Sequence, residues 1–336
     1  MTDTESGNAT SPRKWDESFV LSVVAPVYNE SKGINGFVSE VREHLAALEQ
    51  PGRVELLLVN DGSTDGSDGL LDRLALDHPH EIRTIHLARN FGHGAAVAAG
   101  LDHARGDAVI LMDSDYQDDP AAFAPLVEKW RSGFDVVYVE RASRQENPLS
   151  RGAFWFFYRV FDWVADTKSP MNAGNFGLMD KRVVAQLKQL PERNRYLPGL
   201  RAWVGFRQTG VSVPRRARYD KSTRVGLRGL WTLGMNAVFS FSYVPLFVFR
   251  IAGVLSLGIS ALLVLFVLVN KFMGHELDAW SIVLIATSFL GGINLFGVGL
   301  LGEYIARIYD EVKCRPKYVI DRVSGGDGED GEQNPD

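Results

Sequence analysis

Cysteine is almost absent: Cys314 is the single one in 336 residues. That excludes a disulfide framework and any multi-cysteine zinc or iron–sulfur site. No Gly-x-Gly-x-x-Gly follows the first strand-like run and no Gly-x-x-x-x-Gly-Lys-Ser/Thr occurs, so the dinucleotide and P-loop fingerprints are missing. FGHG at 91–94 is too short to be either and reads as a helix-entry turn. Residues 1–18 are polar and lack the apolar core of a signal peptide. The 33 Gly and 14 Pro show no collagen period, and no solenoid repeat is visible. A net charge of −5 gives no bulk positive field for nucleic acid.

What is present is a polar front and a very apolar back. Hydrophobic residues make up 46% and charged residues 23%, the balance of a globular chain rather than a disordered one. At roughly 150 residues per domain, the length suits about two domains, or one with additions. Residues 251–270 and 280–302 carry no charged side chain. Each run meets the ~20 residues that cross the hydrocarbon of a bilayer. The alternative, two buried helices of a soluble core, suits such long uncharged runs poorly. Seven Lys/Arg from Arg215 to Arg250 precede the first run, Lys271 alone lies between, and five from Arg307 to Arg322 follow. By the positive-inside rule the hairpin lies outside and both termini in the cytoplasm of a multi-pass membrane protein. The expected organisation is a disordered 1–18, a folded domain 19–225, juxtamembrane interfacial helices 226–250, spans 251–270 and 280–302, and a cytoplasmic tail 303–336.

The polar front alternates strand and helix. Apolar runs at Val20–Val27, 54–59, Ile82–Leu87, 108–112 and 135–139 read as buried strands. Helical spacing occupies 31–48, 67–76, His93–His103 and 120–131. This is the pattern of an α/β fold, a mostly parallel sheet wrapped by helices. Ligands of such sheets bind at the carboxyl ends of strands. The informative segments are therefore Pro26-Val27-Tyr28-Asn29-Glu30, Asn60-Asp61-Gly62-Ser63, Arg89-Asn90-Phe91-Gly92 and Asp113-Ser114-Asp115-Tyr116-Gln117. Asp113 and Asp115, two apart on extended chain, project to one side. Such a pair suits a hard cation, Mg²⁺ or Mn²⁺, that keeps waters and takes phosphate oxygens as further ligands. An isolated Asp-x-Asp is as readily a solvated turn; Glu30 and Asp61 at the same sheet edge favour the metal reading.

PVYNE, VNDGSTD, ARNFGHGAAVAAGLDHARGDAVILMDSDYQD and NRYLPGLRAWVGF together resemble the family-2 glycosyltransferases of GT-A fold. Within these the chain is most similar to the polyprenyl-phosphate group that includes dolichol-phosphate mannose synthase. The resemblance spans residues 20 to about 310 and includes the paired apolar runs. It implies inverting transfer of one sugar from a nucleotide sugar to a polyprenyl phosphate at the cytoplasmic face, for cell-envelope glycan modification. The expected donor is a UDP-linked hexose or N-acetylhexosamine; the expected partners are that donor, the lipid acceptor, the bilayer and a second copy of the chain, with no nucleic acid.

By that resemblance Pro26, Tyr28, Glu30, Asp61, Arg89 and Asn90 match donor-binding positions. Asp113 and Asp115 match the metal carboxylates, with Gln117 beside them. Arg141 and Arg144 lie where the family has basic residues near the phosphates, and residues 219–224, with Lys221 and Arg224, match a basic loop over the diphosphate. Asp115, Arg144, Lys221 and Arg224 are the residues expected to carry catalysis. Asn175, Arg195 and Arg201 mark the acceptor region, the two arginines either touching its phosphate or lying on a solvated helix face. Three positions depart from the family. Asn60 stands where an acid is usual, and Ala173-Gly174-Asn175-Phe176-Gly177 replaces Ala-Gly-Asp-Phe-Arg. A frequently proposed base is thus an amide, and no residue is assigned as general base. The aromatic stretches 153–165 and 227–249 read as interfacial helices or as ordinary core helices. Gly291, Gly292, Gly297, Gly299 and Gly302 would let helices approach closely, between the spans or between subunits.

Two other readings remain. A processive polysaccharide synthase would carry Gln-x-x-Arg-Trp, which is missing. A non-catalytic scaffold accounts for Asn60 and Asn175 but not for Asp61, Asp113 and Asp115.

Overall fold

Short runs of Val, Ile and Leu, apolar on both faces and with the β-branched Val and Ile stiff at χ1, form strands that must be covered on both sides. The computed structural model describes residues 13, 15–48, 52–141, 173–192, 197–213, 244–274 and 279–326. In chain order these form β1 (Val20–Val27), α1 (Ile34–Ala46), β2 (Arg53–Asn60), α2 (Ser67–Asp77), β3 (Ile82–Leu87), α3 (His93–His103), β4 (Ala108–Leu111) and α4 (Phe123–Arg131). They continue with β5 (Val136–Arg141), β6 (Ala173–Asp180), α5 (Lys181–Gln189), α6 (Leu197–Trp203), β7 (Gln208–Val213), α7 (Val244–Phe272), α8 (Ala279–Val312) and β8 (Ile320–Ser324). All eight strands share one sheet, ordered β7-β5-β6-β4-β1-β2-β3-β8. The chain falls into two units, one holding the sheet and its helices, the other α7 and α8.

β1 lies at the middle of the sheet, pairing parallel with β2 on one side and β4 on the other. Val23, Val24 and Ala25 are fully buried there, and Ile34, Phe37, Val38 and Val41 bring the apolar stripe of α1 down on the sheet. Successive strands run outward from β1 to β3, and the chain then crosses back to β4. Such a reversal leaves a crevice at the strands' carboxyl ends.

Two strands run against the rest: β6 is antiparallel to β4 and β5, and β8 is antiparallel to β3. The β8 strand is a correction to the sequence reading, which put 303–336 in a tail. Residues 320–324 instead cover the outer edge of β3, an edge that would otherwise present unpaired backbone groups. Only five residues long and half exposed, the strand has no periodic apolar signal.

In the second unit, Ile251–Phe272 and Ala286–Val312 are long and apolar enough to cross a membrane. Only 6% and 11% of their apolar windows is buried within the chain, so neither behaves as a soluble core helix. Both helices outrun the uncharged runs; α8 continues to Val312 past an i,i+4 ion pair of Glu303 and Arg307. Gly297 is where the two helices meet. A Cβ there would lie 1.9 Å from the Phe249 ring of α7, so the glycine accommodates the partner span. The aromatic stretches 153–165 and 227–243 lie outside the described residues, and 244–249 begins α7.

Candidate active site

The crevice predicted by the strand order is a cavity of about 340 Å³. Its walls are the segments after β1, β2, β3 and β4, and the sequence there supplies oxygen acceptors in place of apolar side chains. Pro26, Tyr28, Glu30, Asp61, Asn90, Asp113 and Asp115 all line it. Seven of the residues expected from sequence are therefore gathered in one place.

The first two loops are stitched together by short polar side chains. Asn29 N–H donates to Ser63 Oγ at 3.0 Å, and Thr64 N–H to Asn29 Oδ1 at 2.8 Å. Glu30 N–H donates to Ser67 Oγ at 3.0 Å, and the Ser67 hydroxyl to Asp65 Oδ1 at 2.6 Å. Ser31 N–H donates to Asp65 Oδ2 at 3.0 Å. Burial raises the Asp65 pKa, but the Ser67 and Ser31 bonds outweigh it and hold the carboxyl at about 2. Since that lies below the unfolded value of ~3.9, the clamp stabilises the fold at neutral pH and weakens only as pH falls toward about 2.

The turn after β2 also meets the loop after β3. Gly62 has φ +63°, and a Cβ there would lie 2.4 Å from the Arg89 backbone carbon. Asp61, 3% exposed, accepts from Phe91 N–H at 2.7 Å and Gly92 N–H at 3.0 Å. Burial pushes its pKa up, opposed by those two donors and by His93 and Arg89. A raised folded-state pKa means that ionised Asp61 is a burden on the fold at neutral pH. Carboxylates kept on those terms are common in functional sites.

Past β4, Asp113 and Asp115 face the cavity around Ser114, whose hydroxyl donates to the Pro26 carbonyl at 2.8 Å. Tyr116 takes φ +63°, rare for a bulky side chain, and its hydroxyl donates to the Gly33 carbonyl of the first loop at 2.7 Å. Gln117 stands behind the carboxylates: its amide donates to Asp115 Oδ2 at 2.6 Å and its N–H to Asp115 Oδ1 at 3.2 Å. Among the described residues no three His, Cys, Asp or Glu side chains are gathered into a cage for an ion. Two carboxylates on an open cavity, one oriented by an amide, instead fit Mg²⁺ or Mn²⁺ that retains waters and takes phosphate oxygens.

Several expected residues lie elsewhere. Arg89 is exposed: it stacks on the Phe91 ring at 4.1 Å, and its guanidinium donates to the Asn90 carbonyl, so it acts on the cavity only as a nearby charge. Asn175 lines a smaller adjoining cavity of about 40 Å³. Its Nδ2 lies 3.1 Å from His93 Nε2. Arg201 is 1% exposed and points into the protein, donating to the Gly174 carbonyl at 2.6 Å and the Asn175 carbonyl at 3.4 Å. That corrects the reading of it as a residue on a solvated helix face. Arg144, Arg195, Lys221 and Arg224 lie outside the described residues, as does the Arg141 side chain.

Sequence reasoning missed His93, which entered there only as the first residue of a helix. It lines both cavities, with Nε2 3.7 Å from Asp113 Oδ1. The signal was Gly92, which with φ +96° turns the chain so that the first residue of α3 faces the crevice.

The model described as Glycosyl transferase family 2 matches residues 22–187. An uncharacterized glycosyltransferase of Synechocystis sp. is 39% identical over 311 residues, 91% of this chain and 96% of that one. The SfII prophage-derived bactoprenol glucosyl transferase of Shigella flexneri is 37% identical over 308 residues, 91% of this chain and 99% of that one. A prophage bactoprenol glucosyl transferase homolog of Escherichia coli is 36% identical over 90% of this chain and 99% of its own.

Proposed function

This chain belongs to glycosyl transferase family 2 and is a glycosyltransferase of GT-A-like fold, and from that premise we propose that it carries one sugar from a nucleotide sugar to a polyprenyl phosphate. The observation that carries the reading is the single cavity gathering Tyr28, Glu30, Asp61, Asp113 and Asp115. Relatives named for bactoprenol as acceptor, aligned over nearly their whole length, support the lipid phosphate.

A phosphate monoester has its second pKa near ~6, so at neutral pH the acceptor is largely a dianion. One of its oxygens attacks the anomeric carbon; the carbon–oxygen bond to the donor diphosphate breaks and the electron pair leaves on the nucleoside diphosphate, with inversion. No proton need be removed, unlike transfer to an alcohol. Asn175 in place of a carboxylate is compatible with this chemistry. Glu30 and Asp61 would accept from the nucleoside, and Gln117 holds Asp115 in orientation. A divalent cation at Asp113 and Asp115 would offset charge on the departing diphosphate.

The sheet supports a reading of the topology. β7 and β8 belong to one folded sheet, yet the helices long enough to span lie between them in sequence. A chain that leaves and rejoins the same domain crosses a bilayer an even number of times. The segment between α7 and α8 is therefore expected on the face opposite the catalytic domain. Exposed Cys314 should resist an impermeant maleimide in intact cells, and a His275→Cys variant lacking Cys314 should label. The reverse pattern would overturn the topology.

Transfer itself is tested with purified protein in detergent, undecaprenyl phosphate, Mg²⁺ or Mn²⁺, and radiolabelled nucleotide sugars in turn. Label should enter the organic phase with one donor, UDP-linked by expectation, and stop with EDTA. No transfer from any donor by protein that binds nucleotide would favour a scaffold.

Asn175→Asp separates the base question from the fold. Were a carboxylate base limiting, restoring it would raise kcat on the scale of ~10²–10⁴-fold. The expected change is under about tenfold in either direction, measured at saturating substrates.

A further inference from the structure

Asn60 is buried at the end of β2, 3% exposed, and its Oδ1 accepts from Ser63 N–H at 3.0 Å. With that oxygen committed to a backbone donor, the other end of the amide is the NH₂, and it lies 3.0 Å from His86 Nδ1. Nδ1 is then the acceptor of the neutral ring, and the proton sits on Nε2. His86 is 2% exposed, and burial depresses its pKa, with the Arg322 charge acting in the same sense against the opposing Asp72.

Nε2 faces Asp72 of α2, 3.0 Å from its Oδ1. The same carboxylate accepts from Arg322 Nη2 at 2.7 Å and from the Ser324 hydroxyl. Both those residues belong to β8, and His86 stands directly opposite Arg322 in the antiparallel pair, so their side chains share a face of the sheet. A line of polar side chains thus runs from the turn that presents Asp61 to the strand that follows α8, its one link without a hydrogen bond being the 3.0 Å contact of His86 Nε2 with Asp72.

We propose that His86 is a positioning residue for donor binding and that, through Asp72 and Arg322, the strand after the second apolar helix is a working part of the nucleotide site. The proposal rests on the donor-binding reading above. It accounts for Asn60: an amide can accept from Ser63 N–H and donate to a neutral His86 together, whereas a carboxylate cannot donate. It also gives a reason for burying a line of polar side chains under the donor loop, since buried polar side chains in contact favour one loop geometry.

The test uses full-length protein in detergent and measures UDP and nucleotide-sugar affinity by calorimetry, with steady-state kinetics beside it. Arg322→Ala and His86→Leu should weaken donor binding by about tenfold, the scale of one orienting hydrogen bond lost. In both, kcat at saturating donor should fall less than affinity, and acceptor KM should hold. Arg322→Lys should recover most of the affinity, as it keeps a donor toward Asp72. A merely structural role would lower the active fraction, and so apparent kcat, without moving donor affinity. Unchanged nucleotide affinity in folded Arg322→Ala would overturn the proposal, whatever happens to His86→Leu. Failure of the wild-type protein to bind any nucleotide would instead sink the donor reading on which it rests.

Discussion

Asp115→Asn is expected to abolish sugar transfer, by about a thousandfold or more in kcat/KM, with the fold and membrane association intact. Asp115 stands in the loop beyond β4, not in the sheet, and it lines the cavity. Among the described residues, both its oxygens accept from Gln117, side chain and backbone. An amide can reproduce one of these contacts but not the charge, and charge is what a hard cation and a diphosphate require. The thermal transition should therefore shift little, while Mn²⁺-dependent enhancement of UDP binding disappears. Glu30 and Asp61 remain, so metal-free nucleotide binding should persist in weakened form. Near-normal turnover by the variant would remove Asp115 from the metal site and with it the present account of the leaving group.

The front half of the fold was legible because each element there carries its own signal. Val20–Val27, Ile82–Leu87 and His93–His103 were placed to the residue, since β-branched runs and an Ala-rich stretch bounded by glycines leave one reading. The acidic residues were legible for a topological reason, as polar side chains after buried parallel strands have one crevice to face. The elements missed have no such local signature. Ala173–Asp180 contains two glycines and an asparagine, and it becomes a strand because β4 and β5 offer it edges. Ile320–Ser324 is too short and polar to announce itself, and pairing with β3 decides its state. Arg89 and Gln117 stand near the cavity without lining it, and spacing alone could not tell a residue touching the cavity from one standing behind it.

Arg201 shows the same limit most sharply, and it supplies the second large expected effect. A lone arginine on a short helix reads as surface; in the structure its guanidinium is buried and forked across the carbonyls of Gly174 and Asn175. Its own carbonyl accepts from the Gln208 amide at 2.6 Å, so helix α6, β6 and β7 are tied at one residue. Lysine keeps the charge but lacks the planar fork, so it can serve one carbonyl and leaves the other buried without a donor. Arg201→Lys should therefore destabilise the protein by about 2–4 kcal/mol, since bonds to charged groups are each worth ~1.5–3 kcal/mol and an orphaned carbonyl adds its own desolvation. Activity should fall with it, because Asn175 and the adjoining cavity lose their backing. The rival reading, a direct contact with the acceptor phosphate, predicts the opposite pattern. A lysine would then sustain the contact, stability would be unchanged, and acceptor KM alone would rise. Thermal unfolding and acceptor KM measured on the one variant separate the two: a wild-type transition with a raised KM would return Arg201 to the acceptor site, and a lowered transition makes it the brace beneath Asn175.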